Sequence, residues 1–129
     1  MFSHVTVGTN DLARARTFYD AVLGIVGLRV VHADGDAALG YAAHPDRTPQ
    51  FWILRPLDGG AATVGNGVTV AFEATDRGRV DAFHATALAS GGTDEGPPGL
   101  RPHYHADYYG AYMRDPDGNK ICVVCHRPA

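Results

Sequence analysis

The sequence predicts an α+β fold built from two tandem βαβββ units, and three observations carry that prediction. An alternating strand followed by an amphipathic helix opens the chain. The same pattern returns 65 residues later. Each copy then continues into short strands punctuated by glycine, proline and aspartate.

In the first unit, residues 3–9 read as a strand, with His4, Thr6 and Gly8 on one face and Val5, Val7 and Thr9 on the other. Asn10 or Asp11 supplies a helix cap, because a short polar side chain can accept from the free amides of a first turn. Leu12, Ala15, Phe18, Tyr19, Val22 and Leu23 then recur at helical spacing, and Gly24 is expected to stop the helix. Gly27-Leu28-Arg29-Val30-Val31 begins a strand that turns at Asp34-Gly35-Asp36. Residues 37–42 and 50–55 are two further strands, separated by His44-Pro45-Asp46. Residues 56–67 hold four glycines and read as the loop between halves.

The second unit repeats this plan. Residues 68–74 form a strand, Asp76 caps, and Val80, Phe83, His84, Ala87 and Leu88 make a helical stripe ending near Gly91-Gly92. Asp76 follows Asp11, Phe83 follows Phe18, Leu88 follows Leu23 and Gly92 follows Gly27, each by 65 positions. One constant offset across structural roles marks a duplicated unit rather than a solenoid array. The expected organisation is one domain: a first module over about 1–57, a linker over about 58–66 and a second module over about 67–129. The second module ends in a hairpin, with strands over 109–114 and 120–125 around Asp115-Pro116-Asp117-Gly118-Asn119. Proline presets φ in that turn, and Gly118 permits a positive φ.

Composition narrows the function. A chain of 129 residues with 45% apolar and 19% charged residues is globular, with length enough for one core. A net charge of −3 gives no reason to expect nucleic acid or an anionic membrane surface as partner. No run of roughly 18 apolar residues occurs, so no membrane span is expected. Met1-Phe2-Ser3-His4-Val5 lacks the basic start and apolar stretch of a secretion signal, which makes a cytoplasmic location the expectation. Neither a glycine-rich phosphate loop nor a serine-centred elbow is present, so nucleotide transfer and serine hydrolysis drop out. Cys122-Val-Val-Cys125-His126 matches the spacing of c-type haem attachment, but the two valines favour a strand, where residues three apart face opposite ways. The same geometry argues against a disulfide between them.

The hairpin Tyr-Met-Arg-Asp-Pro-Asp-Gly-Asn-Lys-Ile resembles the end of proteins in the vicinal oxygen chelate superfamily, the glyoxalase/bleomycin resistance protein/extradiol dioxygenase family. The opening is similar as well: a histidine in the first strand, then Asp-Leu-Ala-Arg-Ala-Arg-Thr-Phe-Tyr-Asp-Ala-Val-Leu-Gly. The likeness covers essentially the whole chain. It implies that the two modules form a curved, cupped mixed sheet, that two copies associate as a homodimer, and that the cup holds a small-molecule ligand or substrate. In many relatives it also implies a divalent metal that polarises substrate oxygens.

The resemblance places the first metal ligand at His4. The matching position of the second unit is Thr69, where metal-binding relatives carry a histidine. The last-strand position that is usually a glutamate is Cys122, and its counterpart in the first unit falls near Trp52 or Ile53. The usual octahedral site is therefore expected to be lost. The cup is either metal-free or carries a site rebuilt on His4 and Cys122, with zinc, nickel or iron as candidates. His103 and His105, in the connection before the hairpin, would point the same way if extended and are candidate imports. His4, His105 and Tyr109 are the expected catalytic groups, and Trp52, Thr69, His103, Tyr104, Tyr108 and Tyr112 the expected pocket walls.

Three functions compete. A glyoxalase I-like lyase or isomerase would use His4 as metal ligand or acid/base. A sequestering protein of the bleomycin-resistance type would hold a drug or metabolite without turnover. An extradiol-type dioxygenase needs two histidines and a carboxylate around iron, which the expected positions do not supply. The missing ligands at Thr69 and Cys122 favour sequestration over standard lyase chemistry, and the leading expectation is a lyase- or isomerase-type pocket with a non-standard site.

Overall fold

A computed structural model describes all 129 residues. The first module comprises β1 (Val5–Gly8), α1 (Leu12–Ile25), β2 (Arg29–Asp34), β3 (Ala38–Ala42) and β4 (Phe51–Leu54). The second comprises β5 (Val70–Glu73), α2 (Arg77–Ala89), β6 (Thr93–Leu100), β7 (Tyr109–Arg114) and β8 (Lys120–Cys125). Each module is a four-stranded mixed sheet, ordered β1-β4-β3-β2 and β5-β8-β7-β6, in which only the first pairing is parallel. No helix is long and apolar enough to cross a membrane.

Both helices begin as the sequence predicts. Asp11 accepts from the Arg14 amide and Asp76 from the Arg79 amide, which satisfies one free donor in each first turn. Their ends differ from expectation. Gly24 does not stop α1, which runs to Ile25. The stop is Gly27, whose φ of 84° lets the Leu28 amide reach back to the Leu23 carbonyl at 2.9 Å. On α2, Leu88 is 40% exposed rather than part of the buried stripe. His84 is buried, as its place in the stripe predicts, and its polar edge is satisfied because Nε2 lies 2.8 Å from the Asp94 carboxylate.

One core of 21 buried residues serves both modules. Phe51 sits at its centre, with its ring 5.1 Å from Tyr19 on α1 and 5.2 Å from Phe72 on β5. Phe72 continues the line of rings to Phe83 on α2 at 6.1 Å. Burying aromatic surface at the junction ties the stability of one module to the other.

The Asp115–Asn119 turn adds a second tie. Gly118 adopts the expected positive φ of 93°. The same turn also reaches into the first module. The buried Asp115 carboxylate accepts from the Tyr19 hydroxyl at 2.6 Å, from the Asn119 side chain, and from the amides of Asp117 and Asn119. Asn119 Nδ2 donates to the Gly8 carbonyl. Asp117 accepts from the Thr9 hydroxyl at 2.6 Å, the Asn10 amide and Arg14 Nη2. Burial holds the Asp115 carboxyl above its ordinary value, against the pull of these hydrogen bonds.

Candidate functional site

Each sheet turns one face to its helix and leaves the other open, so strand alternation decides which side chains reach the open face. Val7, Phe51, Ile53, Leu39 and Tyr41 belong to the core in the first module, as do Phe72, Ile121, Val123, Cys125, Ala111 and Met113 in the second. Their neighbours face the other way. Register then aligns two equivalent rows. Across the first open face runs Thr6–Trp52–Gly40–His32, and across the second Ala71–Cys122–Tyr112–Gly96. The counterpart of Cys122 is therefore Trp52 and not Ile53, which lies in the core.

The second row is the richer in polar chemistry. Cys122 is 1% exposed yet stands outside the apolar core, and Cys125 lies within it, so the two free thiols occupy opposite faces. The Tyr108 hydroxyl lies 2.7 Å from that of Tyr112 and 3.7 Å from Cys122 Sγ. Arg101 and Lys120 hold their charges 5.9 and 5.5 Å from the centre of the Tyr112 ring. Burial raises both tyrosine hydroxyls and the Cys122 thiol above their ordinary values. All three are protonated at neutral pH, which makes them hydrogen-bond donors and neither bases nor thiolate nucleophiles.

Residues 101–108 form the wall beside this row. They were expected to be extended, which would align His103 and His105. Instead two successive turns close through the Tyr104 amide to Arg101 and the Tyr108 amide to His105, so two-residue alternation does not apply. His103 stacks on Tyr104, and Tyr104 on Tyr108, with centroids 4.2 and 4.8 Å apart. His105 turns elsewhere, edge-on to Tyr108, with Nε2 2.8 Å from Nδ1 of His126. Because His105 Nδ1 accepts from the Asp107 amide at 3.1 Å, Nε2 carries the ring proton and donates to His126.

The remaining expected residues lie apart from this group. His4 is exposed just before β1, and its side chain bonds only to Ser3 Oγ. Thr69 is exposed just before β5. Trp52 sits on the first sheet, edge-on to His32 at 5.5 Å. Tyr109 faces the helix side, where its hydroxyl donates to Asp81 on α2 at 2.6 Å and Arg77 covers its ring. Arg101, Lys120 and His126 were not anticipated. The signal for this wall was a break in the repeat. Val5 and Val70 open the first strands 65 apart, whereas Ala38 and Tyr109 open the third strands 71 apart. The added residues fall before β7.

The donor set for a family-type metal does not fit. His4, Trp52, Thr69 and Cys122 occupy the four equivalent places, giving one imidazole, one protonated thiol and no carboxylate. No three histidine, cysteine or acidic side chains converge anywhere in the chain to hold an ion.

Comparison with known proteins agrees with this architecture. The sequence profile described as Glyoxalase/Bleomycin resistance protein/Dioxygenase superfamily matches residues 1–123. A crystal structure of a glyoxalase/bleomycin resistance protein from Albidiferax ferrireducens T118 is 46% identical over 99% of both chains, with a TM-score of 0.83. A lactoylglutathione lyase from Agrobacterium tumefaciens shares the fold at 21% identity, covering 97% of this chain and 92% of its own, with a TM-score of 0.67. The fosfomycin resistance protein FosX from Mesorhizobium loti does so at 19% identity, covering 97% and 91%, with the same TM-score. No curated protein matches. By profile, by the 46% relative and by its paired βαβββ sheets, the chain belongs to the glyoxalase/bleomycin resistance protein/dioxygenase superfamily.

Proposed function

We propose that this chain binds a small, flat, oxygen-bearing anion on the open face of its second module and holds it without a metal. One observation carries the reading: the neutral Tyr108 and Tyr112 hydroxyls, set over the buried Cys122 thiol and flanked by the Arg101 and Lys120 cations. Hydroxyl donors and two cations suit a carboxylate or phenolate, and the Tyr104 and Tyr108 rings suit a planar body. None of these groups is placed as a general base, which favours sequestration over turnover. Calorimetric titration with benzoate and with its uncharged amide tests the reading. Saturable binding of benzoate is expected, weakened about tenfold in Tyr112→Phe through loss of one hydrogen bond to a charged partner. Equal affinity for benzamide would sink it.

A second reading, a lyase or isomerase, has one observation in its favour. The His105–His126 pair lies edge-on to Tyr108, with His105 Nε2 donating to His126 Nδ1 along a 2.8 Å bond. Moving that proton to a ligand would require His105 to give up its bond to His126. Methylglyoxal with glutathione, in the presence of nickel or zinc, is the direct assay. No turnover is expected, and turnover that disappears in His105→Ala would reinstate the enzyme.

A further inference from the structure

The strand at the edge of the second sheet, β6, is interrupted by Gly96-Pro97-Pro98-Gly99. Gly96 pairs with Tyr112 and Gly99 with Gly110, so two prolines stand opposite Ala111 alone. Proline has no N–H to give the ladder, and the strand bulges there. At the bulge the Pro97 carbonyl accepts from Arg101 Nη2 at 2.8 Å, while the Arg101 amide is pinned to the Tyr108 carbonyl at the same distance. The two glycines leave the space that the guanidinium fills. A Cβ added at Gly99 would stand 3.1 Å from Arg101 Nη1, and one at Gly96 would stand 3.4 Å from Nη2. The first row ends at the matching place in a side chain, His32, rather than a gap.

What the berthed guanidinium lacks is an acid. Arg101 is half-buried and takes part in none of the ion pairs of the chain. Its single hydrogen bond is the one to Pro97, and neither Nε nor Nη1 is sealed from solvent. A guanidinium has two paired N–H edges that share Nη2, so one bond from Nη2 leaves one paired edge open. Such an edge matches the two oxygens of a carboxylate, whereas a phenolate offers one oxygen. Lys120, as a point charge, does not make that distinction. On the reading of the tyrosine row as an anion site, we infer that the anion is a carboxylate held by both oxygens on the open edge of Arg101, and that Gly96 and Gly99 set this choice by berthing the guanidinium. The two glycines are positioning residues: they touch the cation and not the ligand, and a cation fixed in advance has less freedom to lose on binding.

Pentafluorobenzoate and pentafluorophenolate make the test, since both are flat and singly charged at neutral pH and differ in offering two oxygens or one. Titrated calorimetrically into the full chain, the benzoate is expected to bind about tenfold tighter and to shift the Arg101 side-chain N–H resonances saturably. Arg101→Lys keeps the charge and loses the paired edge, and should cut that preference to about twofold. Gly99→Ala places a methyl against the guanidinium, and should weaken the benzoate about fivefold while moving the unfolding temperature by no more than about 3 °C. In the Arg101→Lys background the same glycine change should weaken the benzoate less than about twofold, because the group it displaces is gone. Equal affinity for the two anions, an undiminished preference in Arg101→Lys, or equal losses from Gly99→Ala in both backgrounds would each overturn the inference. Benzoate binding that weakens in Tyr112→Phe but not in Arg101→Lys leaves the anion site standing and removes the carboxylate assignment alone. An absence of benzoate binding removes both.

Discussion

The two modules share a topology and differ in what fills their open faces. The first row places a large ring at the fourth strand and nothing at the third, Trp52 beside Gly40. The second inverts this, with small Cys122 beside large Tyr112. Over Gly40 the space is taken by Pro49, since a Cβ built there would sit 2.6 Å from the proline ring and 3.1 Å from Trp52. Over Tyr112 stand charges and hydroxyls instead. Proline and tryptophan thus fill the first face at this point, and the second carries hydroxyls and cations there. A duplicated scaffold has kept its backbone while the side chains on its two open faces have diverged.

The contrast should break in order of the contacts that span both modules. Phe51→Ala removes the ring joining Tyr19 to Phe72 and should cost about 3–5 kcal/mol, the range for truncating a buried aromatic. Chemical denaturation should still give a single transition, because the core is shared; two separate transitions would show that the modules fold independently. Asp115→Ala leaves the Tyr19 hydroxyl and two turn amides without their acceptor, and should cost about 3 kcal/mol by the same measurement. Gly40→Ala forces Pro49 aside and should cost about 1–3 kcal/mol, with no effect on ligand affinity. Tyr112→Phe, on the equivalent strand of the second module, should do the reverse, changing stability by less than about 1 kcal/mol while weakening the ligand.

The smallest effect concerns pH. The Asp94 carboxyl is held below its ordinary value, first by His84 and then by the Gly96 amide. The folded state therefore favours the ionised form. Its contribution is fully present above the unfolded carboxyl's value near 3.8 and is lost as pH falls through the lower folded value. Asp115 is shifted the other way by burial, so its protonation on acidification favours the folded state. Asp94→Asn should consequently lose less stability than the parent between neutral pH and pH 3, read from denaturation midpoints. An unchanged acid slope would remove the His84–Asp94 pair from the account.

Much of the fold was legible because local rules and the repeat agreed. Asp11 and Asp76 cap where expected, and the β7–β8 hairpin falls on its expected residues with Gly118 at positive φ. Gly24 misled because a glycine within a last turn is tolerated; only the left-handed position, Gly27, ends the helix. Leu88 misled because apolar spacing does not say which turn of a helix meets the sheet. The site was less legible. Cys122, Tyr108, Tyr112 and their wall were within reach of strand alternation and the 101–108 segment. Tyr109 was not separable from its two tyrosine neighbours until the strand start fixed its face. His126 joins His105 only through the folding of a turn, which no sequence period encodes.

The turn that closes the last hairpin also governs when the beginning of the chain can settle. Tyr19 and Thr9 find their acceptors on Asp115 and Asp117, roughly a hundred positions later in synthesis. A ribosome releasing this protein from its N-terminus exposes an opening strand and helix whose polar contacts do not yet exist. The order of translation and the order of locking run in opposite directions, and the nascent first module stays provisional until the final strands emerge.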